Sequence, residues 1–161
     1  MRRILPILCL FICQQLSAQT LRTTFSNDWS RWEFGGSTFK TVFSDDYNSW
    51  ECGSIRIKTT FSKDRDRWDI GSSTQLKTTF SNDFNRWEIT GNGKKVYVKT
   101  TFSNDYGRWD VSGDAVGSMR TTFSGDYSRW DIQVDFKQLP EEMQSAIVFV
   151  PVLTGFTQGK K

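Results

Sequence analysis

The chain has 161 residues, 24% of them charged and 37% hydrophobic, with a formal charge of +3, three Cys and no His. That is the length of one domain, and so small a charge lacks the basic excess on which nucleic-acid binding draws. Without His, a nucleophile elbow or a phosphate-cradling Gly-rich loop, the composition points away from an enzyme and away from zinc ligation.

Residues 1–18 read as a cleaved signal peptide. Arg2 and Arg3 form the basic start, Ile4–Cys13 the apolar stretch, and Leu16-Ser17-Ala18 the small-residue end. The apolar run is too short to span a bilayer as a lasting helix. Cys9 and Cys13 lie inside it and no Cys stands at the cleavage point, so a lipid anchor is not expected. A leader running into Ser17-Ala18-Gln19 resembles those of Bacteroidetes proteins. Removing it lowers the charge to about +1 and leaves Cys52 as the sole cysteine, which rules out an intrachain disulfide. Export to the periplasm, the cell surface or the medium is expected, with no membrane span in the mature chain.

From 19 to 136 one phrase of fourteen residues recurs six times, as Leu21–Phe34, Phe39–Cys52, Ile57–Ile70, Leu76–Ile89, Val98–Val111 and Met119–Ile132. It reads apolar, Lys/Arg, Thr, Thr, Phe, Ser, Asn, Asp, Tyr, x, Arg, Trp, Asp/Glu, apolar. Such a repeat is one supersecondary unit copied along the chain. Within it apolar residues alternate, so each copy is a strand, a turn and a second strand. In the fourth copy the register sets Leu76 opposite Ile89, Thr78 opposite Trp87, and Lys77 opposite Glu88 on the wet face. Counting parity straight through, Phe80 joins Leu76 and Trp87 on the core face, and Asn82-Asp83 forms a two-residue turn.

The spacers keep that register. Gly35-Gly36 sets Trp32 opposite Phe39, Gly53-Ser54 sets Trp50 opposite Ile57, and Asn92-Gly93 sets Ile89 opposite Val96. Gly71-Ser72-Ser73 and Gly113-Asp114-Ala115 read as three-residue turns. The fold class is therefore all-β: six tandem β-hairpin repeats, about twelve short antiparallel strands in a meander. So apolar a face must roll up, as a barrel or a solenoid. The short strands and the charged second face do not suit an outer-membrane barrel.

Residues 137–161 form a C-terminal capping segment and polar tail. Pro140-Glu141-Glu142 opens a short helix, and the apolar run Ala146–Leu153, interrupted by Pro151, is expected to cap or plug the exposed apolar surface.

Candidate functional residues are those the folding pattern does not consume. Ser and Asp recur in every turn, from Ser26/Asp28 to Ser124/Asp126, and read as turn chemistry, because single carboxylates on separate hairpins do not converge on a metal ion. Four residues after each Phe comes Trp29, Tyr47, Arg65, Phe84, Tyr106 or Tyr127, and two further on Arg31, Ser49, Arg67, Arg86, Arg108 or Arg129. Parity places both positions outside. The candidate ligand-binding row is thus Trp29, Tyr47, Phe84, Tyr106 and Tyr127 with Arg31, Arg86, Arg108 and Arg129, for stacking on sugar rings. Cys52 takes an aliphatic core position. The repeat is similar in length and aromatic content to the choline-binding repeats of bacterial surface proteins, but lacks their Gly-Trp and tandem-aromatic pattern, so no fold, ligand or residue carries over. The expectation is an exported structural or adhesive scaffold at the bacterial cell envelope, without catalysis, cofactor or metal. The alternative is a lectin-like module. The partners expected are surface glycan or another envelope protein, not nucleic acid.

Overall fold

The computed structural model describes residues 17–159; residues 1–16, which hold nearly all of the expected leader, and the last two lysines lie outside the described residues. Twelve strands alternate in two lengths of connection: β1 (Gln19–Thr23), β2 (Arg31–Phe34), β3 (Ser37–Thr41), β4 (Ser49–Cys52), β5 (Ile55–Thr59) and β6 (Arg67–Ile70). They continue as β7 (Thr74–Thr78), β8 (Arg86–Gly91), β9 (Lys94–Thr100), β10 (Arg108–Gly113), β11 (Gly117–Thr121) and β12 (Arg129–Val134), and the chain ends in helix α1 (Glu141–Gln158). Each strand pairs antiparallel with its sequence neighbours, and β1 pairs with β12, so the meander closes into a barrel without a free edge.

The pairing is the one the alternation dictates. Leu76 faces Ile89, Lys77 faces Glu88 and Thr78 faces Trp87, while across the spacers Trp32 faces Phe39, Trp50 faces Ile57 and Ile89 faces Val96. Asn92 and Gly93 both have positive φ, as a tight two-residue turn demands.

Closure follows a fixed step. Each Trp pairs on one side with a Thr of its own hairpin and on the other with the residue two positions before the equivalent Thr of the next. Trp32 lies between Thr23 and Phe39, Trp68 between Thr59 and Leu76, and Trp130 between Thr121 and Leu21 of the first copy. A stagger of two residues per hairpin recurs around the circle. The six hairpins are therefore equivalent under a pseudo-sixfold rotation, and their six turns share one end of the barrel.

The Trp row and the aliphatic residues point into the lumen: Trp32, Trp50, Trp68, Trp87, Trp109, Trp130, Leu21, Ile57, Ile70, Leu76, Ile89 and Val98 are all buried. They do not fill it alone. The helix α1 runs through it and is buried on every side from Ala146 to Phe156. Phe149 packs on Phe39, Trp50 and Trp68 with ring centroids 5.0–6.3 Å apart. A Cβ on Gly155 would overlap the Trp32 indole, so only Gly allows the helix to pass so close to the wall. The capping segment is thus a full-length plug. Pro151 does not break it as the sequence led us to expect; the helix continues to Gln158, held from all sides by the barrel wall.

At its entry the plug is pinned. The Glu142 carboxylate accepts the backbone N–H groups of Ser72 and Ser73 at 2.9 and 3.0 Å, and both hydroxyls as well. The Ser72 N–H above all, then the Ser73 hydroxyl, holds its pKa down to about 2.

The outer face is polar. Cross-strand pairs such as Lys40–Glu51 (3.0 Å), Lys77–Glu88 (3.3 Å) and Arg22–Glu33 (3.3 Å) line it. Among the described residues no helix is long and apolar enough to cross a membrane. Cys52 is buried in the core beside Ser145, and that burial raises its thiol pKa.

Candidate functional site

All six repeat turns lie on the rim at which α1 ends. Each is longer than the two-residue loop expected from parity. In the fourth copy strand pairing stops at Thr78–Trp87, and Thr79 N–H still reaches the Arg86 carbonyl at 2.9 Å. Beyond that, the Phe80 carbonyl accepts the Asp83 N–H and closes a first turn, with matching bonds of 3.0–3.2 Å in every copy. Asn82 sits at its tip with φ of 59°. The equivalent left-handed residues are Asn27, Asp45, Lys63, Asn104 and Gly125, so the residue between Ser and Asp bends the chain, not the Asp itself. Asp83 instead accepts the N–H two residues on, at 3.1 Å, and its counterparts do the same at 2.9–3.1 Å.

These two turns break the parity, and two side-chain rows exchange places. The six Phe residues, expected inside, are the most exposed large apolar groups of the repeat: Phe25, Phe43, Phe61, Phe80, Phe102 and Phe123 are 57–66% exposed. The row expected outside turns in. Trp29, Tyr47, Phe84, Tyr106 and Tyr127 lie against the Trp three residues on, with ring centroids 5.8–6.2 Å apart. In five copies the Trp indole N–H donates to the backbone carbonyl at that same position, at 2.8–2.9 Å. The buried indole is satisfied by its own loop, and the ring that supplies the carbonyl covers it. Of the expected bases, Arg31, Arg86, Arg108 and Arg129 are exposed at the rim. The aromatic–Arg pair of the sequence reading is therefore split. One of these loop arginines, Arg67, stands instead over the exposed Phe61 ring at 5.9 Å.

The result is a crown of six Phe prongs at equivalent positions. Neighbouring prongs are ~10 Å apart if hairpins follow one another at two strand spacings, with Ser and Asn or another polar residue between them. Exposed charges in these six loops are Arg31, Lys63, Arg86, Arg108 and Arg129 against Asp45 alone; the other acids are half-buried, and Asp28, Asp46, Asp64, Asp83, Asp105 and Asp126 accept amides of their own loops. Among the described residues no group of acidic and Cys side chains is placed to hold a metal ion.

The sixfold pattern fails at one place. The third copy has Arg65 where the others have an aromatic ring, and its guanidinium lies 5.2 Å from the centre of the Phe156 ring on α1. Beside it an open cleft of about 210 Å³ runs between the end of α1 and the wall at Phe84, Trp87 and Tyr106.

The sequence signal for the crown was present in the Asp-x-Ser/Asn spacing. An Asp followed two residues later by Ser, Asn, Asp or Gly marks a turn closed on the first Asp side chain, and such a turn does not let strand parity pass through it. No protein family matches the chain, and neither does any curated protein or solved structure. The residues and their geometry alone speak to function.

Proposed function

We propose that this protein is a non-catalytic adhesive scaffold of the bacterial cell envelope, which holds to the headgroup layer of a membrane through the Phe crown. The observation that carries this reading is the exposure of the same Phe in all six copies at one end of the barrel. A fold of this kind has no need of six exposed rings, since its core is complete without them; side chains of that size left in water, repeated and coplanar by symmetry, suit contact with something apolar. The charged wall does not suit insertion of the whole barrel, so the contact is with the tips. Prongs set ~10 Å apart with polar residues between do not make the continuous apolar centre of a protein interface. A fluid lipid layer accepts each ring wherever it falls, and the exposed rim arginines suit its phosphates.

Sedimentation with vesicles of phosphatidylethanolamine and phosphatidylglycerol tests this. The native protein is expected to co-sediment, and a variant with all six Phe changed to Ser to remain in solution. Tyr97→Ser, an exposed ring on the side wall, is expected to bind like the native chain. Equal binding by the six-Ser variant, or none by the native protein, overturns the reading. Glycan stacking is the second reading, and it has less support than the alternation suggested, because the ring faces it needs lie against the Trp row.

A further inference from the structure

We propose that the cleft between the end of α1 and the wall at β8 and β10 binds a small amphipathic carboxylate, its apolar tail lying among Phe84, Trp87, Tyr106 and Leu153 and its carboxylate meeting Arg65. The proposal is independent of the crown and concerns the one part of that rim that departs from sixfold repetition.

The polarity of the lining sets the ligand class. Its walls are chiefly aromatic and aliphatic, and its helix hydroxyls are already committed. Thr154 Oγ1 donates to the Val150 carbonyl at 2.9 Å, and Thr157 Oγ1 to the Leu153 carbonyl at 2.8 Å. Besides the Tyr106 hydroxyl and the Gln158 amide, two donors line it. Arg65 has no carboxylate within ion-pairing distance among the described residues; its guanidinium is braced on the Phe156 ring and lines the cleft. A guanidinium so placed takes a carboxylate with two parallel hydrogen bonds.

The second donor is independent of the first. Trp87 is the only member of the Trp row whose indole N–H does not donate to the carbonyl three residues back, and among the described residues it has no other acceptor. It is also missing from the buried polar atoms that lack a partner, so the N–H keeps contact with solvent. Phe84, which supplies the ring over Trp87, is correspondingly the most exposed of its row, at 38%. The fourth copy thus leaves uncommitted an indole N–H that the other five satisfy, and its Trp87 lines the same cleft as Arg65. A sugar would leave most of its hydroxyls facing apolar walls, whereas a tail with one anionic end satisfies both the walls and the donors. The volume of 210 Å³ is that of about seven waters, or about seven methylenes if each takes a similar share.

Octanoate below its micellar concentration is the probe, with octanol as the uncharged control, read by calorimetry and by Trp fluorescence. Octanoate is expected to bind at least about tenfold more tightly than octanol, the worth of a charge-assisted hydrogen bond. Arg65→Gln is expected to bring octanoate down to the octanol level, and Arg65→Lys to restore part of the difference. Leu153→Trp, which fills the cleft, is expected to abolish binding, and Trp87→Phe to remove most of the fluorescence response. Each variant is checked for a single cooperative unfolding transition well above the assay temperature, and the six-Ser crown variant is expected to bind octanoate normally. Equal affinity for octanoate and octanol, octanoate binding that survives both Arg65→Gln and Leu153→Trp, or no binding at all overturns the proposal.

Discussion

The two rims of the barrel are built from the same strands and differ in almost every other respect. At the crown the six connections are alike, with a Phe exposed in each, a left-handed residue in each and an Asp closing each on its own amides. At the opposite rim five spacers differ in length and sequence, and the sixth is replaced by the segment that turns the chain from β12 into the lumen. Variation is tolerated where the turn serves only to reverse the chain. Uniformity marks the end at which a side chain is presented in a fixed place. The contrast also locates the asymmetry of the molecule: α1 is anchored by Glu142 at the variable rim and reaches the uniform rim off-centre enough to leave a cleft on one side.

Four substitutions sharpen this contrast, beyond the vesicle and octanoate measurements. The largest effect is expected within a single repeat. Trp130→Ala removes a fully buried ring from the lumen and should cost about 3–5 kcal/mol in denaturant unfolding. Phe123→Ala, seven residues earlier and exposed at the crown, should stay within about 0.5 kcal/mol. Equal losses would contradict the exchange of faces described above. Next is Gly155→Val, which forces a branched side chain into the Trp32 indole where plug meets wall and should cost about 1–3 kcal/mol by overpacking; a neutral outcome would mean the helix is not held against β2.

The smallest effect belongs to the variable rim. Glu142→Gln loses a carboxylate that is half-buried at the rim and still screened by solvent, so no more than about 1 kcal/mol is expected near neutrality. Its pH dependence is more telling. The folded pKa of Glu142 is lowered to about 2 from the ordinary 4.5, so its contribution is present in full above about 4.5 and is lost as pH falls through about 2. The stability gap between the native protein and the Glu142→Gln variant should therefore be constant from about pH 5 to 7 and close towards about pH 2. A gap that widens in acid would reverse the assignment.

Most of the barrel was legible in the sequence because one rule, alternation with period two, runs through every strand and spacer. Trp87 opposite Thr78 and Val96 opposite Ile89 follow from it without tertiary knowledge. The rule failed where the backbone stopped being a strand. Phe80 was assigned by extending the first strand past Thr78, and Tyr106 by counting on through Ser103, Asn104 and Asp105, three residues that each prefer a turn; Phe80 came out exposed and Tyr106 packed against the core. The plug was misjudged for a related reason. Pro151 suggested an end to the helix, but the residues around it are apolar on every side, the pattern of a segment surrounded by protein. The mode of closure and the cleft depend on distances between copies far apart in the chain, and no local pattern carries those.

The constant step of two residues per hairpin makes the helix a gauge of copy number. Near-identical repeats invite unequal recombination, which adds or deletes whole units. A barrel with one hairpin fewer would still pair its strands, but its lumen would be narrower by roughly a sixth, since diameter grows about linearly with strand number. The Trp row would then occupy the space that α1 fills, and Gly155, already against Trp32, has no smaller replacement. With one hairpin more, the plug would rattle in a gap lined by indoles. Neither barrel would fit the helix, so the plug ties the stability of the closed fold to six copies.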